Sequence, residues 1–386
     1  MRVLYINHTG AVSGAEHSLL TLLAGLSADV EPIVMSPAGP LRDRVRELGI
    51  EALPIRGTTA SFALHALHTP RAVAQLAHSG LAVRRAARRL SPDLIHANSV
   101  RAGLIVALAR AAAPSVVHVR DVLPPGVAPR AIRRTLFAAA ARTICISEYV
   151  AQRFSPLAGA NGVVVPNGVD MTRFSPATVD GRQVRDELGV RPDQILLGVV
   201  AQITPWKGQD DAVAALARVR SVHPSTCLVL AGEAKFVGRG VRHDNAGFAQ
   251  ALRAQARRLG VADAVHLTGE RTDVPALLAA LDVALVPSWE EPFGRSVIEA
   301  MAMERPVVAT SVGGPSEIIE HGRNGLLVRP RNPKEWSAAV VGLIESASLR
   351  STLGANARAS LAGRFDQATS VGRTLALYRQ VLSSCR

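Results

Sequence analysis

VALVPSWEEPFGRSVIEAMA, residues 283–302, is the stretch on which the fold reading turns. Val283, Ala284, Leu285 and Val286 form a short apolar run closed by Pro287, the pattern of a strand buried on both faces. A polar loop follows, Gly294 lets the backbone come close to a neighbour or ligand, and a helix begins near Arg295. A strand feeding a helix through such a loop is the building unit of a doubly wound parallel sheet, in which ligands bind outside the carboxyl ends of the strands. Glu291 lies in that loop, and Glu299 is expected in the first turns of the helix. Carboxylates accept hydrogen bonds from hydroxyls, while a helix N-terminus favours negative charge. The segment therefore suits a polyhydroxyl ligand that also carries an anion, with a solvated acidic loop as the plain alternative. Glu290 reads as a neighbour of Glu291, not as a second acid.

The same rhythm extends in both directions. In the first half, residues 3–6, 32–35, 94–96, 115–119 and 143–146 read as strands, with helical spacing at 16–26 and 41–48. In the second half, strands are expected at 195–200, 227–231, 265–268, 283–287 and 306–310, with a helix at 209–219. A Pro/Gly/Asp-containing stretch at 166–176 separates the halves and places a linker near 170–190. The expected fold class is α/β, two successive Rossmann-like doubly wound domains. The expected boundaries are 1–175, 190–365 and a last helix at 366–386.

Composition narrows the function classes. Of 386 residues, 48% are hydrophobic and 19% charged, enough to build sizeable cores, which excludes wholesale disorder. Aromatic residues are only 4%, which argues against a sugar groove floored by stacked rings. Apolar runs are far shorter than the ~18 residues of a membrane span, and the N-terminus has no signal-peptide core, so a cytoplasmic location is expected. Cys145, Cys227 and Cys385 are far apart and lie in no Cys/His cluster, so neither a disulfide framework nor a metal site is expected. The net charge is +13, concentrated in the first half, which attracts polyanions without choosing among them. Arg84, Arg85, Arg88 and Arg89 would form one cationic stripe on a helix over 71–90, with Arg133 and Arg134 as a second basic patch. The readings are a solvated arginine face, or peripheral contact with anionic lipid at the inner face of the membrane.

Other loops share the strand-to-helix position. Gly10 and Gly14 follow the first strand at a spacing that is not G-x-G-x-x-G. His118 lies in HVRD at the end of an apolar strand, where a structural histidine is the ordinary alternative. Lys207, one of only three lysines, sits in AQITPWKG and could set a point charge against a phosphate, with Gln202 beside it. Gly313 and Gly314 open a further loop, and Asn324-Gly325 signals a turn before LLV.

Taken together, EPFGRSVIEAMA resembles the E-x7-E motif of the retaining family 4 glycosyltransferases, the glycogen-synthase-like group with a GT-B fold. SGAEHSLL, HANSVRAGL, HVRD, CISEYVA, VVVPNGVD, GVVAQITPWKGQD and VGGPSEII with NGLLV resemble family segments in the expected order, across nearly the whole chain. The resemblance implies two Rossmann-like domains facing across a cleft, and a C-terminal helix crossing back to the first domain. It implies a nucleotide diphosphate sugar as donor substrate, with either uridine or guanosine as the base, a hydroxyl acceptor and no cofactor or metal. By the same resemblance Glu299 would hold the ribose and Lys207 would face the pyrophosphate. Glu291, with backbone groups of Pro292, Phe293 and Gly294, would hold the transferred sugar. His118 would stand near the reacting centre, and Gly14 in the loop closing on the phosphates. Many members carry an Arg where this chain has Gln202, so Lys207 would bear more of the phosphate charge. The competing readings are a GT-B-fold epimerase or phosphorylase, a nicotinamide-dependent oxidoreductase, which the missing glycine fingerprint disfavours, and a nucleic-acid-binding protein, which lacks aromatic platforms.

Overall fold

The computed structural model describes residues 1–58, 68–154, 162–235 and 244–385. In chain order the first part runs β1 (Arg2–Ile6), α1 (Gly14–Ala24), β2 (Glu31–Ser36), α2 (Pro40–Glu47), β3 (Glu51–Pro54), α3 (His68–Leu90), β4 (Leu94–Ala97), α4 (Val100–Ala109), β5 (Ser115–Val119), α5 (Val127–Ala139), β6 (Arg142–Cys145), α6 (Glu148–Phe154) and β7 (Gly162–Val164). It continues with α7 (Arg182–Glu187), β8 (Ile195–Val200), α8 (Gln209–Arg220), β9 (Thr226–Ala231), α9 (Asn245–Arg258), β10 (Val265–Gly269), α10 (Val274–Ala280), β11 (Val283–Val286), α11 (Arg295–Ala302), β12 (Val307–Thr310), α12 (Pro315–Ile318), β13 (Leu326–Val328), α13 (Pro333–Glu345), α14 (Ala347–Ala359) and α15 (Gln367–Ser384).

The chain divides into two compact units, Met1–Gly168 with Gln367–Arg386, and Val169–Asp366. The stretch read as a linker near 170–190 packs inside the second unit. Val169 N donates to Phe365 O at 2.9 Å, Val184 is buried, and Gly181 lies so close to Ala280 that an added Cβ would stand 2.2 Å from its backbone nitrogen.

The first unit is a seven-stranded parallel sheet in the order β3-β2-β1-β4-β5-β6-β7. The order reverses between β1 and β4, so right-handed crossovers put α1 and α2 on one face and α3 to α6 on the other. The α1 face is completed by α15, whose Val371, Leu375, Leu377, Tyr378 and Val381 join Tyr5, Leu19, Leu23 and Val34 in one buried cluster. Gln367 Nε2 donates to Thr21 O at 2.7 Å and Ser370 Oγ to Pro166 O at 2.8 Å, fixing the start of that helix.

The second unit is a six-stranded parallel sheet in the order β10-β9-β8-β11-β12-β13, reversing between β8 and β11. Its central strands are apolar on both faces, as expected of a sheet covered by helices on each side. The edge strands β3, β7 and β13 are only 3 or 4 residues long. β13 pairs in parallel with β12, so LLV extends the sheet and forms no hairpin.

Candidate functional site

Each sheet has its topological switch point where the strand order reverses, and the polar residues collect there. In the second unit the ends of β8 and β11 border a small hollow lined by Ala201, Pro287, Ser288, Ser296 and Lys207. The loop after β8 is clamped onto the loop after β11. Trp289 N donates to Trp206 O at 2.8 Å, and Gly208 adopts φ +68° with a Cβ position only 2.0 Å from Pro287 O, so a side chain there would force the loops apart.

Lys207 Nζ donates to Glu291 Oε2 at 2.5 Å, with side chains 16% and 8% exposed. Ser288 Oγ donates to the same carboxylate oxygen at 2.9 Å, and the ammonium lies 4.1 Å from the Trp206 ring centroid. The backbone of Glu291 is held as firmly. Its N–H donates to Val312 O, its carbonyl accepts from Gly314 N at 2.9 Å, and a Cβ on Gly313 would stand 2.0 Å from that carbonyl. Glycines 313 and 314 thus serve the close approach of two loops.

Gly294 precedes α11 with φ +105°. Phe293 is a core residue whose ring packs on Phe365 at 6.0 Å, so only its backbone is available to a ligand; Pro292 is half-buried. Glu299 lies on α11 with an ion pair to Arg295, four residues earlier. The i, i+4 spacing of Arg295 and Glu299 was present in the sequence and signals such a pair. The Gln202 amide donates to Lys235 O at 3.3 Å, and Gln209 Nε2 donates to the Gln202 carbonyl at 2.8 Å, so Gln202 ties neighbouring loops together.

In the first unit, His118 stands at the end of β5, 5% exposed. Burial, then the Arg120 cation, then His96 hold it well below the usual histidine range, so it is neutral. His96 and His8 are likewise neutral, each pushed down to about 3 by burial first, then by Arg120 and Arg101 respectively. Gly14 opens α1, and a Cβ there would meet nothing within 4 Å, whereas one on Gly10 would stand 2.2 Å from Ala38 O. The fold itself thus requires Gly10 and leaves room at Gly14.

A buried polar chain, missed from the sequence, runs between these points. Ser13 Oγ donates to Glu16 Oε2 at 2.5 Å, Asn7 Nδ2 to Glu16 Oε1 at 3.2 Å, and Asn98 Nδ2 to Asn7 Oδ1 at 2.9 Å. Arg120 Nη2 donates to Asn98 Oδ1 at 2.8 Å, and Arg120 Nη1 to Asn167 Oδ1 at 2.8 Å. Apart from Asn7, which follows the first strand, its members come from the segments SGAEHSLL, HANSVRAGL, HVRD and VVVPNGVD. The Asn7–Asn98 bond spans the ends of β1 and β4, the switch point of this sheet. Among the described residues no group of three or more His, Cys, Asp or Glu side chains is placed to hold a metal, and no helix is long and apolar enough to cross a membrane.

Two doubly wound units, each with a polar site at its switch point, define the GT-B class of fold. A crystal structure of Anabaena HepE in complex with UDP and glucose superposes with a TM-score of 0.85 at 28% identity, covering 98% of this chain and 99% of that one. The family model described as glycosyl transferases group 1 matches residues 180–360, and that described as Glycosyltransferase Family 4 matches residues 12–173. The chain belongs to the family 4 glycosyltransferases. Its relatives include a D-inositol 3-phosphate glycosyltransferase of Segniliparus rotundus, 36% identical over 223 residues, 57% of this chain and 47% of the relative. A second such enzyme, from Catenulispora acidiphila, is 34% identical over 255 residues, 64% of this chain and 58% of the relative. The match thus spans about half the length of these curated relatives.

Proposed function

We propose that the chain is a retaining glycosyltransferase that moves a hexosyl-type sugar from a nucleotide diphosphate sugar to an acceptor hydroxyl. The observation that carries this reading is the buried Lys207–Glu291 pair at the β8/β11 switch point. A lysine held under a loop on one side and on a carboxylate on the other sits where a pyrophosphate and a sugar would meet. The Anabaena protein solved with UDP and glucose supports a uridine donor and glucose as the first sugar to test.

In this reading Glu299 accepts from the ribose hydroxyls, and Glu291 with the backbone of Pro292, Phe293 and Gly294 holds the transferred sugar. Departure of the nucleoside diphosphate builds negative charge on its outer phosphate. The Lys207 ammonium stabilises that charge without a proton transfer, because it is already aimed at the site. The room left at Gly14 lets the backbone opening α1 approach the phosphates. Neutral His118 donates a hydrogen bond near the reacting centre. The acceptor hydroxyl attacks from the face the diphosphate leaves, and a phosphate oxygen takes its proton, so no pair of glycosidase carboxylates is needed. The reaction proceeds without a bound metal, and turnover persists in chelator.

The first unit supports a lipid-borne acceptor met at the inner membrane face. Helices α3, α4 and α5 carry nine arginines and no Asp or Glu, and Val73, Leu81, Leu108 and Val127 are exposed on them. Calorimetric titration with UDP, GDP and their glucose, galactose and mannose conjugates, followed by turnover with an acceptor panel, tests the reading. Failure of every nucleoside diphosphate to bind would overturn it.

A further inference from the structure

Arg120 donates through Nη2 to His118 Nδ1 at 3.1 Å. A nitrogen that accepts a hydrogen bond carries no proton, so the neutral imidazole must carry its proton on Nε2. His118 Nε2 is buried and meets no protein acceptor among the described residues. The histidine is therefore presented as a donor through one nitrogen only.

Arg120 is itself 6% exposed and is held by further bonds to two asparagines. Nε donates to Asn98 O and Oδ1, both at 3.1 Å, Nη2 to Asn98 Oδ1 at 2.8 Å, and Nη1 to Asn167 Oδ1 at 2.8 Å. Asn98 passes the connection through Asn7 to Glu16, which is 1% exposed and supplies a negative charge inside the same network. Glu16 in turn holds Ser13, the residue before Gly14. The Arg120 guanidinium bonds His118 and Asn167 directly and is joined to the loop that opens α1 through Asn98, Asn7 and Glu16.

We infer that Arg120 is a positioning residue: it fixes His118 as a neutral Nε2–H donor and locks it to the loop that opens α1. The inference rests on the transferase reading for its effect on turnover, and on geometry alone for the tautomer. The charged and titratable groups facing His118 are Arg120 beside it, His96 on β4 with ring centroids 5.4 Å apart, and, through His96, Tyr378 on α15, whose hydroxyl lies 2.5 Å from His96 Nδ1. His96 is neutral and the buried Tyr378 hydroxyl is raised well above its ordinary range, so Arg120 is the permanent charge of this set. A fixed cation at this distance opposes a second proton on the ring at every physiological pH.

The test is nitrogen-15 NMR of the full chain labelled at histidine, with the His118 signals assigned by their loss in His118→Gln. The expected wild-type result is an Nε2–H tautomer unchanged from pH 8 to pH 5. An Nδ1–H tautomer, or an imidazolium forming by pH 6, overturns the inference with no variant required. In Arg120→Gln the tautomers should mix, while burial, the larger cause of the lowered pKa, still opposes protonation of the ring. Turnover should then fall about 10-fold with donor KM unchanged, as for a group that acts in the transition state. Arg120→Lys, which keeps the charge and loses the fork, should keep the ring neutral and still mix the tautomers. A wild-type tautomer in Arg120→Gln refutes the positioning role. Full activity in His118→Ala would instead refute the placing of His118 at the reacting centre, leaving the tautomer result to stand.

Discussion

Replacing Lys207 by Met keeps the aliphatic stem over Trp206 and removes only the ammonium. The carboxylate of Glu291 is then left 8% exposed with Ser288 as its remaining side-chain donor. Removing one partner of a buried ion pair costs about 3–5 kcal/mol, because the other charge stays desolvated. The residual exposure and the Ser288 hydroxyl put this pair at the lower end, about 3 kcal/mol, including ~0.5 kcal/mol for the lost cation–ring contact. For a unit of about 200 residues that is a fall in Tm of roughly 6–12 °C. The assay is built into the sequence. All three tryptophans, Trp206, Trp289 and Trp336, lie in the second unit, and all three tyrosines, Tyr5, Tyr149 and Tyr378, in the first. Tryptophan emission during thermal or urea unfolding therefore follows the unit that holds the pair. Adding Glu291→Gln to Lys207→Met removes the stranded charge, so the double variant should recover about 2 kcal/mol relative to the sum of the singles. A Tm change under about 1 °C, or a coupling under ~0.5 kcal/mol, would refute the claim that the pair anchors the loops.

Three further outcomes are expected. Glu299→Gln should weaken nucleoside diphosphate binding by roughly 1.5–3 kcal/mol in calorimetry, since a charged acceptor is lost, and unchanged affinity would remove Glu299 from the ribose site. His8 and His96 have folded-state pKa values near 3, below the ordinary histidine value, so the unfolded chain binds more protons than the folded one as pH falls below about 6.5. Each should then cost the first unit about 2 kcal/mol of stability at pH 5, read from tyrosine signals, and equal stability at pH 7 and pH 5 would refute it. Vesicles rich in anionic lipid should sediment the chain at low salt at about 1 kcal/mol per engaged arginine, with binding lost at high salt and in a variant with Arg84, Arg85, Arg88 and Arg89 changed to Gln; absence of binding at low salt would favour a soluble acceptor.

The alternation of apolar runs and helical spacing made both sheets legible, because the central strands are buried on both faces and read as short, largely apolar runs, broken in β4 and β5 only by buried polar residues such as His96 and His118. The edge strands β3, β7 and β13 were harder to read. With 3 or 4 residues each, and half-exposed positions among them, their periodicity is too short to register. Lys207 and Glu291 were each singled out, yet their contact, 84 residues apart in sequence, depends on how two loops clamp each other. The polar chain from Glu16 to Asn167 was hidden for a related reason. Its asparagines look like ordinary loop residues, and only the strand order brings Asn7 and Asn98 side by side. Arg120 was hidden among many arginines, where burial, invisible in the sequence, is what distinguishes it.

The first unit is built from the two ends of the chain, with the whole second unit inserted between β7 and α15. During synthesis, residues 1–168 leave the ribosome without Val371, Leu375, Tyr378 and Val381, which complete their core. At ~5–20 residues per second the intervening stretch takes about 10–40 s to make. For that time the α1 face of the first sheet stays incompletely covered, while the second unit, contiguous in sequence, can already close. The order of maturation is thus the reverse of the order of translation, and the N-terminal half is the part of the nascent chain that most needs protection from aggregation.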